Sequence, residues 1–299
     1  MLVNSRGFTA IVMVLFFNEI VFAIPYRNKN VQTVANSKLE FPQWLKDFTH
    51  LNDWPDMNPP YIPLSFIDFS KVPDLPKYNQ NQCPGVSRLS CSFDCHKCLE
   101  HDDIITCDRL IQTFDDGPTP ATLNLLDNLK NKVTFFNLGI NIVKYPDIYR
   151  TIINRGHDTA SHTWSHVHLP SLNNEQIVAQ LEWTMWAMNA TGNHIPRYFR
   201  PPFGGVDSRV RAIARQFGLQ SVLWDHDTFD WQVLIGQRNE YDIYKDALKW
   251  HSKGDNGIIL EHDTTYLTTN IGLQLEEILN NKQKTVAQCV GGTNYIRKL

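Results

Sequence analysis

The sequence lacks an excess of basic residues. Among its 299 residues, 28 lysines and arginines stand against 31 aspartates and glutamates, a formal net charge of −3. Nucleic-acid-binding proteins usually carry a basic excess or a basic stripe, so we expect no nucleic-acid partner. Internal repeats and low-complexity tracts are also missing, and 42% hydrophobic residues indicate a sizeable folded core. The length predicts one or two domains.

Long apolar runs are missing too. The apolar run at residues 10–17 is well short of the roughly 20 residues that a membrane span needs, and no other segment approaches that length. Arg6 precedes this run, and Val21 and Ala23 are small residues at the −3 and −1 positions of a cleavage site. We therefore predict that residues 1–23 are a secretory signal peptide, with a retained signal anchor as the alternative. After cleavage we expect a secreted chain without a membrane span.

Cysteine is scarce, and its six copies are unevenly placed. Five lie between Cys83 and Cys107, and Cys289 stands alone near the C-terminus. In an oxidising compartment an even number predicts disulfides, rather than the zinc or redox site that Cys95 and Cys98 alone suggest. Cys107 adjoins the first predicted strand, so a disulfide between Cys107 and Cys289 would close the ends of the folded domain. The other pairings stay open.

The composition divides the rest of the chain into four parts. Residues 24–82 are rich in Pro, Asn and Asp, which predicts an extended arm that is partly wrapped on the domain or disordered. Residues 83–107 form a cysteine-rich segment. Residues 108–290 are the folded domain, and residues 291–299 are a C-terminal tail. Within the domain, Asn189 begins the one clear N-glycosylation sequon.

Short β-rich runs alternate with helical ones in residues 108–290. The predicted strands are residues 109–115, 133–139, 156–162, 198–203, 219–225, 257–263 and 284–289. Helix starts are predicted at Thr119, Pro146, Asn173 and Asp207. Such alternation indicates a largely parallel sheet. Seven strands favour a distorted, incomplete α/β barrel of the TIM type, with an open doubly wound sheet as the alternative.

Polar side chains follow most of these strands at their carboxyl ends. The clusters are Asp115 and Asp116, His162 and His166, residues 200–204, residues 227–231, and His262. In α/β barrels this face of the sheet is where active sites are built. We therefore predict one site formed by these clusters.

Three of these residues suggest a metal site. Imidazole nitrogens four residues apart, as in His162 and His166, can converge on one ion. Together with Asp116 they make a carboxylate and two histidines, which is a common catalytic zinc set. The alternative is a pair of histidines that are hydrogen-bonded in the core, and His168 is a competing ligand nearby.

The neighbouring acidic and basic groups suggest acid–base chemistry. If Asp116 binds a metal, Asp115 is free to act as a general base. His262 is placed to donate a proton from the opposite side. The alternative is a turn at Gly117 in which Asp116 only caps the following backbone.

Five runs in this order resemble the motifs of one family. They are residues 113–117 (TFDDG), 162–166 (HTWSH), 200–204 (RPPFG), 227–231 (DTFDW) and 260–262 (LEH). Together they resemble the polysaccharide deacetylases of carbohydrate esterase family four, the NodB-homology domain, over residues 108–290. The chain looks most like fungal chitin deacetylases, including those of yeast spore walls, and the cysteine-rich segment looks fungal as well.

The resemblance implies a metal-dependent amidase on a distorted (β/α) barrel. The implied substrate is an N-acetylglucosamine polymer such as chitin, from which acetate is released. One divalent ion, usually zinc and in some relatives cobalt, would be bound by Asp116, His162 and His166. Asp115 would be the catalytic base and His262 the catalytic acid.

The resemblance also implies supporting residues. Arg200 and Asp230 would form a supporting pair near the base and the acid. The backbone N–H of Phe203 would help to hold the oxyanion. Trp231 and Leu260 would line the pocket for the acetyl methyl group.

Two positions depart from the family pattern. Phe203 stands where many members have tyrosine, which a backbone donor tolerates. Glu261 lies inside the last motif, and strand alternation should point its side chain away from the cleft. Exposed tryptophans such as Trp164 and Trp224 are candidates for stacking on sugar rings, with core packing as the alternative.

We expect a monomer that is secreted to the fungal cell wall or spore wall. A deacetylase of peptidoglycan or acetylated xylan is an alternative with the same chemistry. A non-catalytic protein that binds wall polysaccharides on the same fold is the alternative from another class. Intact Asp115 and His262 argue against the binding protein, because a binder needs neither.

Overall fold

The computed structural model describes residues 37–280 and 282–298. The predicted signal peptide and the first part of the predicted arm lie outside these residues. The strands are β1 Leu110–Asp115, β2 Thr134–Asn137, β3 Asp158–Ser161, β4 His194–Pro196, β5 Tyr198–Phe199, β6 Gln220–Ser221, β7 His226–Asp227, β8 Gly257–His262 and β9 Tyr295–Lys298. The helices are α1 Gln43–Thr49, α2 Phe93–His96, α3 Thr122–Asn128, α4 Gly139–Lys144, α5 Pro146–Asn154, α6 Asn174–Gly192, α7 Ser208–Gln216, α8 Trp231–Leu234, α9 Glu240–Lys253, α10 Tyr266–Leu279 and α11 Val286–Cys289.

Seven of the strands form one parallel sheet in the order β6-β5-β3-β2-β1-β8-β7. From β1 the order follows the chain to β6, and β8 returns to pair with the other side of β1. This cyclic order is that of a barrel, whereas a doubly wound sheet reverses its order at a switch point. The barrel is incomplete because β6 and β7 are the two edges. The predicted fold class is confirmed.

One predicted strand is wrong. Residues 284–289 end in helix α11, and the seventh strand of the sheet is β7. The N–H of Gln288 donates to the Thr285 side chain, and the N–H of Thr285 donates to the Gln288 side chain. This reciprocal capping box stabilises a helical turn, which a short apolar run by itself does not distinguish from a strand.

The predicted helix starts at Pro146, Asn173 and Asp207 are confirmed. Pro146 is the first residue of α5, and Asn173 and Asp207 accept N–H groups from the first turns of α6 and α7. Helix α3 begins later than predicted, at Thr122, because Thr119 turns the chain before it: its hydroxyl accepts the N–H of Ala121.

Side chains of β1 alternate between two buried faces. Phe114 stacks on Phe135 in a cluster that packs under α3 and α5. Ile111 belongs to a different cluster with Phe136 and Ile258, which fills the barrel interior. Since strand residues alternate, Asp115 shares the interior face with Ile111. The carboxylate of Asp115, the last residue of β1, therefore lies inside the carboxyl end of the barrel.

The first described residues pack on the barrel. We call residues 37–106 the N-terminal segment; it contains α1 and α2. Its first part contributes buried side chains to a cluster with α4 and α6; they are Leu39, Phe41, Leu45 and Trp54. Residues 37–82, predicted as an extended arm, are thus held against the domain by apolar burial.

Disulfides and a short sheet fasten the chain ends. The disulfides join Cys83 to Cys95, Cys91 to Cys98 and Cys107 to Cys289. The last one links the residues before β1 to the end of α11. Within residues 291–299, predicted as a tail, β9 pairs antiparallel with β4. In the described part of the chain, no helix has the length and apolarity needed to cross a membrane.

Candidate active site

The carboxyl ends of five strands bring the predicted residues to one end of the barrel. Asp115 is the last residue of β1, and His262 is the last residue of β8 beside it in register. His162 and Arg200 directly follow β3 and β5, and Asp230 lies shortly after β7. Such strand ends are fixed by the sheet behind them, which makes them precise supports for chemistry.

Asp116, His162 and His166 converge on one point. Asp116 Oδ1 lies 3.3 Å from Nε2 of His162 and 3.3 Å from Nε2 of His166. The three candidate ligand atoms lie within 4.8 Å of one another. The two loops that carry them, after β1 and after β3, are left-handed at Asp116 (φ 77°), Thr163 (φ 69°) and His166 (φ 60°). Non-glycine residues in this conformation are strained and are concentrated at functional sites.

These three side chains fit a divalent cation. Asp116 Oδ1 is buried and makes no hydrogen bond within the described residues, so an electropositive partner is missing for it. His162 Nδ1 lies 2.8 Å from the carbonyl oxygen of Arg200, which assigns the proton to Nδ1 and leaves the Nε2 lone pair toward Asp116. Burial lowers the pKa of His166 to about 4, so this imidazole is neutral at neutral pH, as a metal ligand must be.

Asp115 is held by Arg200. The guanidinium is fully buried and donates to Asp115 Oδ1 at 2.8 Å and to Thr113 Oγ1 at 2.8 Å. It also lies over the ring of Phe136, with 4.1 Å from Cζ to the ring centroid. The other oxygen, Asp115 Oδ2, is 3.8 Å from His162 Nε2. Arg200 therefore fixes one carboxylate oxygen and leaves the second beside the candidate metal ligands.

His262 is held by Asp230 in the same manner. Nδ1 of His262 lies 2.6 Å from Asp230 Oδ1, and the backbone N–H of His262 donates to Asp230 Oδ2 at 2.9 Å. Burial by itself would lower the pKa of His262, but the attraction of the fully buried Asp230 carboxylate and its hydrogen bond raise the pKa to about 10. His262 is therefore protonated at neutral pH and can donate a proton from Nε2.

Three apolar residues border the same end of the barrel. The Phe203 ring is 43% exposed and lies 4.4 Å from the His166 ring, between centroids. Trp231 directly follows Asp230, opens α8 and is 42% exposed. Leu260 is buried on β8 two residues before His262, so both side chains lie on one face of the strand.

Some predicted alternatives lie away from this site. His168, the competing ligand, is buried with its Nε2 2.9 Å from Asp94 Oδ2 in the N-terminal segment. Trp164 is fully buried, and its Nε1–H donates to the Asp56 carbonyl at 2.7 Å. Trp164 is thus a core residue and not a platform for sugar rings. Trp224 is partly exposed.

Glu261 follows Leu260 and Asp263 follows His262 in the chain, and their buried side chains lie in different surroundings. Glu261 is fully buried behind β1, where its Oε1 accepts a hydrogen bond from Gln112 Nε2 at 2.8 Å. Its side chain points away from the cleft, as strand alternation predicted. Asp263 was not predicted; it is buried beside the site, accepts a hydrogen bond from Thr122, and its N–H donates to the Asp115 carbonyl. Its position directly after His262 was the available signal.

Known proteins of similar sequence carry a consistent description. Residues 105–222 match the family described as polysaccharide deacetylase. The chain is 56% identical to chitin deacetylase 2 of Saccharomyces cerevisiae over 266 residues, which cover 88% of this chain and 85% of that protein. It is 53% identical to chitin deacetylase 1 of the same yeast over 260 residues, which cover 86% of each.

Solved structures share the fold. The structure of the chitin deacetylase from the fungal pathogen Colletotrichum lindemuthianum aligns with a TM-score of 0.59 and 24% sequence identity. The alignment covers 66% of this chain and 96% of that one.

Proposed function

Because this chain belongs to the polysaccharide deacetylase family, we propose that it removes N-acetyl groups from the N-acetylglucosamine residues of chitin. The products are acetate and glucosamine units, which turn chitin into chitosan. The two yeast relatives, at more than half identity over most of the chain, support chitin as the substrate. The observation that carries the proposal is the meeting of Asp115, His262 and a candidate metal triad at one end of the barrel.

One divalent ion, zinc with cobalt as the alternative, is bound by Asp116, His162 and His166. When bound, such an ion acts as a Lewis acid toward a carbonyl oxygen and lowers the pKa of water. The unpartnered Asp116 oxygen and the free Nε2 of His162 support this assignment.

Asp115 acts as the general base. It takes a proton from a water molecule as the water oxygen forms a bond to the acetamide carbon. Arg200 keeps the carboxylate in place through the 2.8 Å hydrogen bond. The negative charge that develops on the carbonyl oxygen is met by the backbone N–H of Phe203, and a good donor of this kind contributes several kcal/mol.

His262 acts as the general acid. As the carbon–nitrogen bond breaks, Nε2 of His262 gives its proton to the leaving nitrogen, which departs as a neutral amine. Asp230 supports this step because it holds the imidazole by Nδ1 and keeps it protonated. Trp231 and Leu260 line the pocket that receives the acetyl methyl group.

The enzyme acts outside the cell, in the fungal wall and specifically in the spore wall. Secretion is supported by the three disulfides and by the predicted signal peptide at residues 1–23. The enzyme acts as a monomer, since one chain supplies every residue of the site. Asn189, partly exposed in the last turns of α6, carries an N-linked glycan.

Acetate release from chitin oligosaccharides tests the function. The zinc-loaded protein is expected to release acetate, and a chelator is expected to stop the release until zinc is restored. Binding of the oligosaccharide without any acetate release would instead favour the non-catalytic wall-binding protein. Acetate release from acetylated xylan or peptidoglycan fragments, but not from chitin oligosaccharides, would instead indicate a deacetylase of that other polysaccharide.

A further inference from the structure

The N-terminal segment accepts hydrogen bonds from the loop that carries two candidate metal ligands. We call residues 162–168 the ligand loop. Trp164 Nε1–H donates to the carbonyl of Asp56 at 2.7 Å, and Ser165 Oγ–H donates to the carbonyl of Met57 at 2.6 Å. Trp164 and Ser165 stand between the two histidine ligands. The N-terminal segment therefore contacts the ligand loop at its centre.

Asp94 of the same segment fastens the end of the ligand loop. Its Oδ2 lies 2.9 Å from Nε2 of His168, and both side chains are largely buried. The other oxygen, Oδ1, accepts hydrogen bonds from the hydroxyls of Tyr78 and Ser92, each at 2.8 Å. Because three donors hold one carboxylate, Asp94 has little freedom to follow a displaced His168.

Helix α2, which carries Asp94, also contacts the loop of Phe203. The ring of Phe93 packs on Gly204, where an added Cβ atom would come within 2.9 Å of it, and the N–H of Phe93 donates to the Val206 carbonyl at 3.0 Å. The ring of His168 packs on Gly205 in the same way, at 2.5 Å from such a Cβ. The cysteine-rich part of the segment thus fills the space behind both loops of the site.

We propose, on the basis of the proposed function, that Asp94 is a positioning residue that orients the metal ligands through His168. The ligand loop is left-handed at Thr163 and at His166, a conformation that persists only where surrounding contacts impose it. Groups hydrogen-bonded directly to metal ligands commonly change metal affinity or activity about 10- to 100-fold when removed. Asp94 acts one side chain further out, through His168, so we expect an effect at the lower end of this range. The N-terminal segment accordingly supports the metal site through its contacts with the ligand loop.

The test compares two carboxylates of the segment in the full-length secreted protein. Asp94→Ala removes the contact with His168. The matched control is Asp103→Asn, because the side chain of Asp103 is even more buried than that of Asp94 but pairs with Arg211 at 2.8 Å rather than with the ligand loop. The dissociation constant of Zn²⁺ alone is measured by competition with a chromogenic chelator, without any substrate, and melting temperature is recorded for each variant. kcat and KM for acetate release follow at saturating zinc.

Asp94→Ala is expected to bind Zn²⁺ about 10-fold more weakly and to lose kcat with little change in KM, whereas Asp103→Asn keeps the zinc affinity of the parent even if it melts earlier. Asp94→Asn retains one hydrogen-bond acceptor and should recover part of the Zn²⁺ affinity. If Asp94→Ala does not fold, the comparison is made with Asp94→Asn alone. Unchanged zinc affinity in both Asp94 variants, or an equal loss in Asp103→Asn, overturns the proposal. A parent protein that binds zinc but releases no acetate refutes the proposed function and leaves the zinc comparison valid.

Discussion

The side chains of Asp230 and His262 are joined through Nδ1 of the imidazole, at 2.6 Å from Asp230 Oδ1. The same carboxylate also accepts the backbone N–H of His262, so it fixes both the ring and the strand end that bears it. This arrangement leaves Nε2 as the proton donor toward the cleft. It also makes the buried Asp230 carboxylate the largest of the charges that raise the pKa of His262.

Removal of that charge is expected to move the alkaline limb of activity. His262 must be protonated to act as the acid, so activity falls as the pH rises through the pKa of His262, about 10. In Asp230→Asn the largest opposition to burial is lost, and only the weaker attraction of Asp116 and Asp115 still raises the pKa of His262. The alkaline limb of kcat/KM should therefore shift down by more than about one pH unit. An unchanged pH profile in the variant would exclude His262 as the acid under the control of Asp230.

Asp115→Asn is expected to separate metal binding from catalysis. The amide still accepts a hydrogen bond from Arg200 but cannot take a proton, so acetate release should fall about 100- to 10,000-fold. Zinc content should stay the same, because Asp115 is not among the three candidate ligands. Asp108→Asn is the control, since Asp108 is exposed and pairs with Lys284 at 2.6 Å. Full activity in Asp115→Asn would refute the assignment of the base.

Zinc is expected to stabilise the folded protein. A ligand that binds only the native state contributes about 2.7 kcal/mol at a concentration 100 times its Kd, so zinc should raise the melting temperature. Asp116→Asn removes the anionic ligand and should lose most of this increase. Asp127→Asn, which affects an exposed pair with Arg155, should keep it. An equal rise in the Asp116 variant would place the stabilising ion elsewhere.

Stability is expected to depend on pH through Glu182 on α6. This residue is buried, and its Oε1 accepts the N–H of Ile62 from the N-terminal segment at 3.0 Å. Burial raises the pKa of Glu182 to about 8, above the value near 4.5 of a free glutamate. The folded state therefore binds a proton more tightly than the unfolded state, and this contribution to stability is full below pH 4.5 and is lost as the pH rises through 8.

Glu182→Gln tests this dependence because glutamine is neutral at every pH and keeps an acceptor for Ile62. The variant should match the parent at pH 5 and be more stable at pH 9, by an amount on the order of 3 kcal/mol. Urea unfolding at both pH values measures the difference. Glu175→Gln, at an exposed position of the same helix, is the control. If the difference in unfolding free energy between the parent and Glu182→Gln is the same at pH 5 and at pH 9, the prediction is wrong.

The sequence by itself located six of the seven strands of the sheet and the polar residues that follow them, but it extended β5 and β6 too far, to residues 203 and 225. Parallel strands end at one face, so the polar clusters after five of the apolar runs already predict a common site for Asp115, His162 and His262. Helix caps such as Asn173 with Gln176 are equally local, because the two partners are three residues apart. The same local chemistry explains the wrong strand at residues 284–289, since the capping box there was present in the sequence.

Only the tertiary structure decided which nearby side chains belong to the site. His166 and His168 are only two residues apart in sequence. His166, in a left-handed conformation, lies beside Asp116, whereas His168 is hydrogen-bonded to Asp94 of the N-terminal segment. Trp164 is buried because the N-terminal segment covers it, through a contact 108 residues apart in sequence. Such contacts join segments that are far apart in the sequence. A local sequence pattern therefore cannot predict that the N-terminal segment packs against the ligand loop.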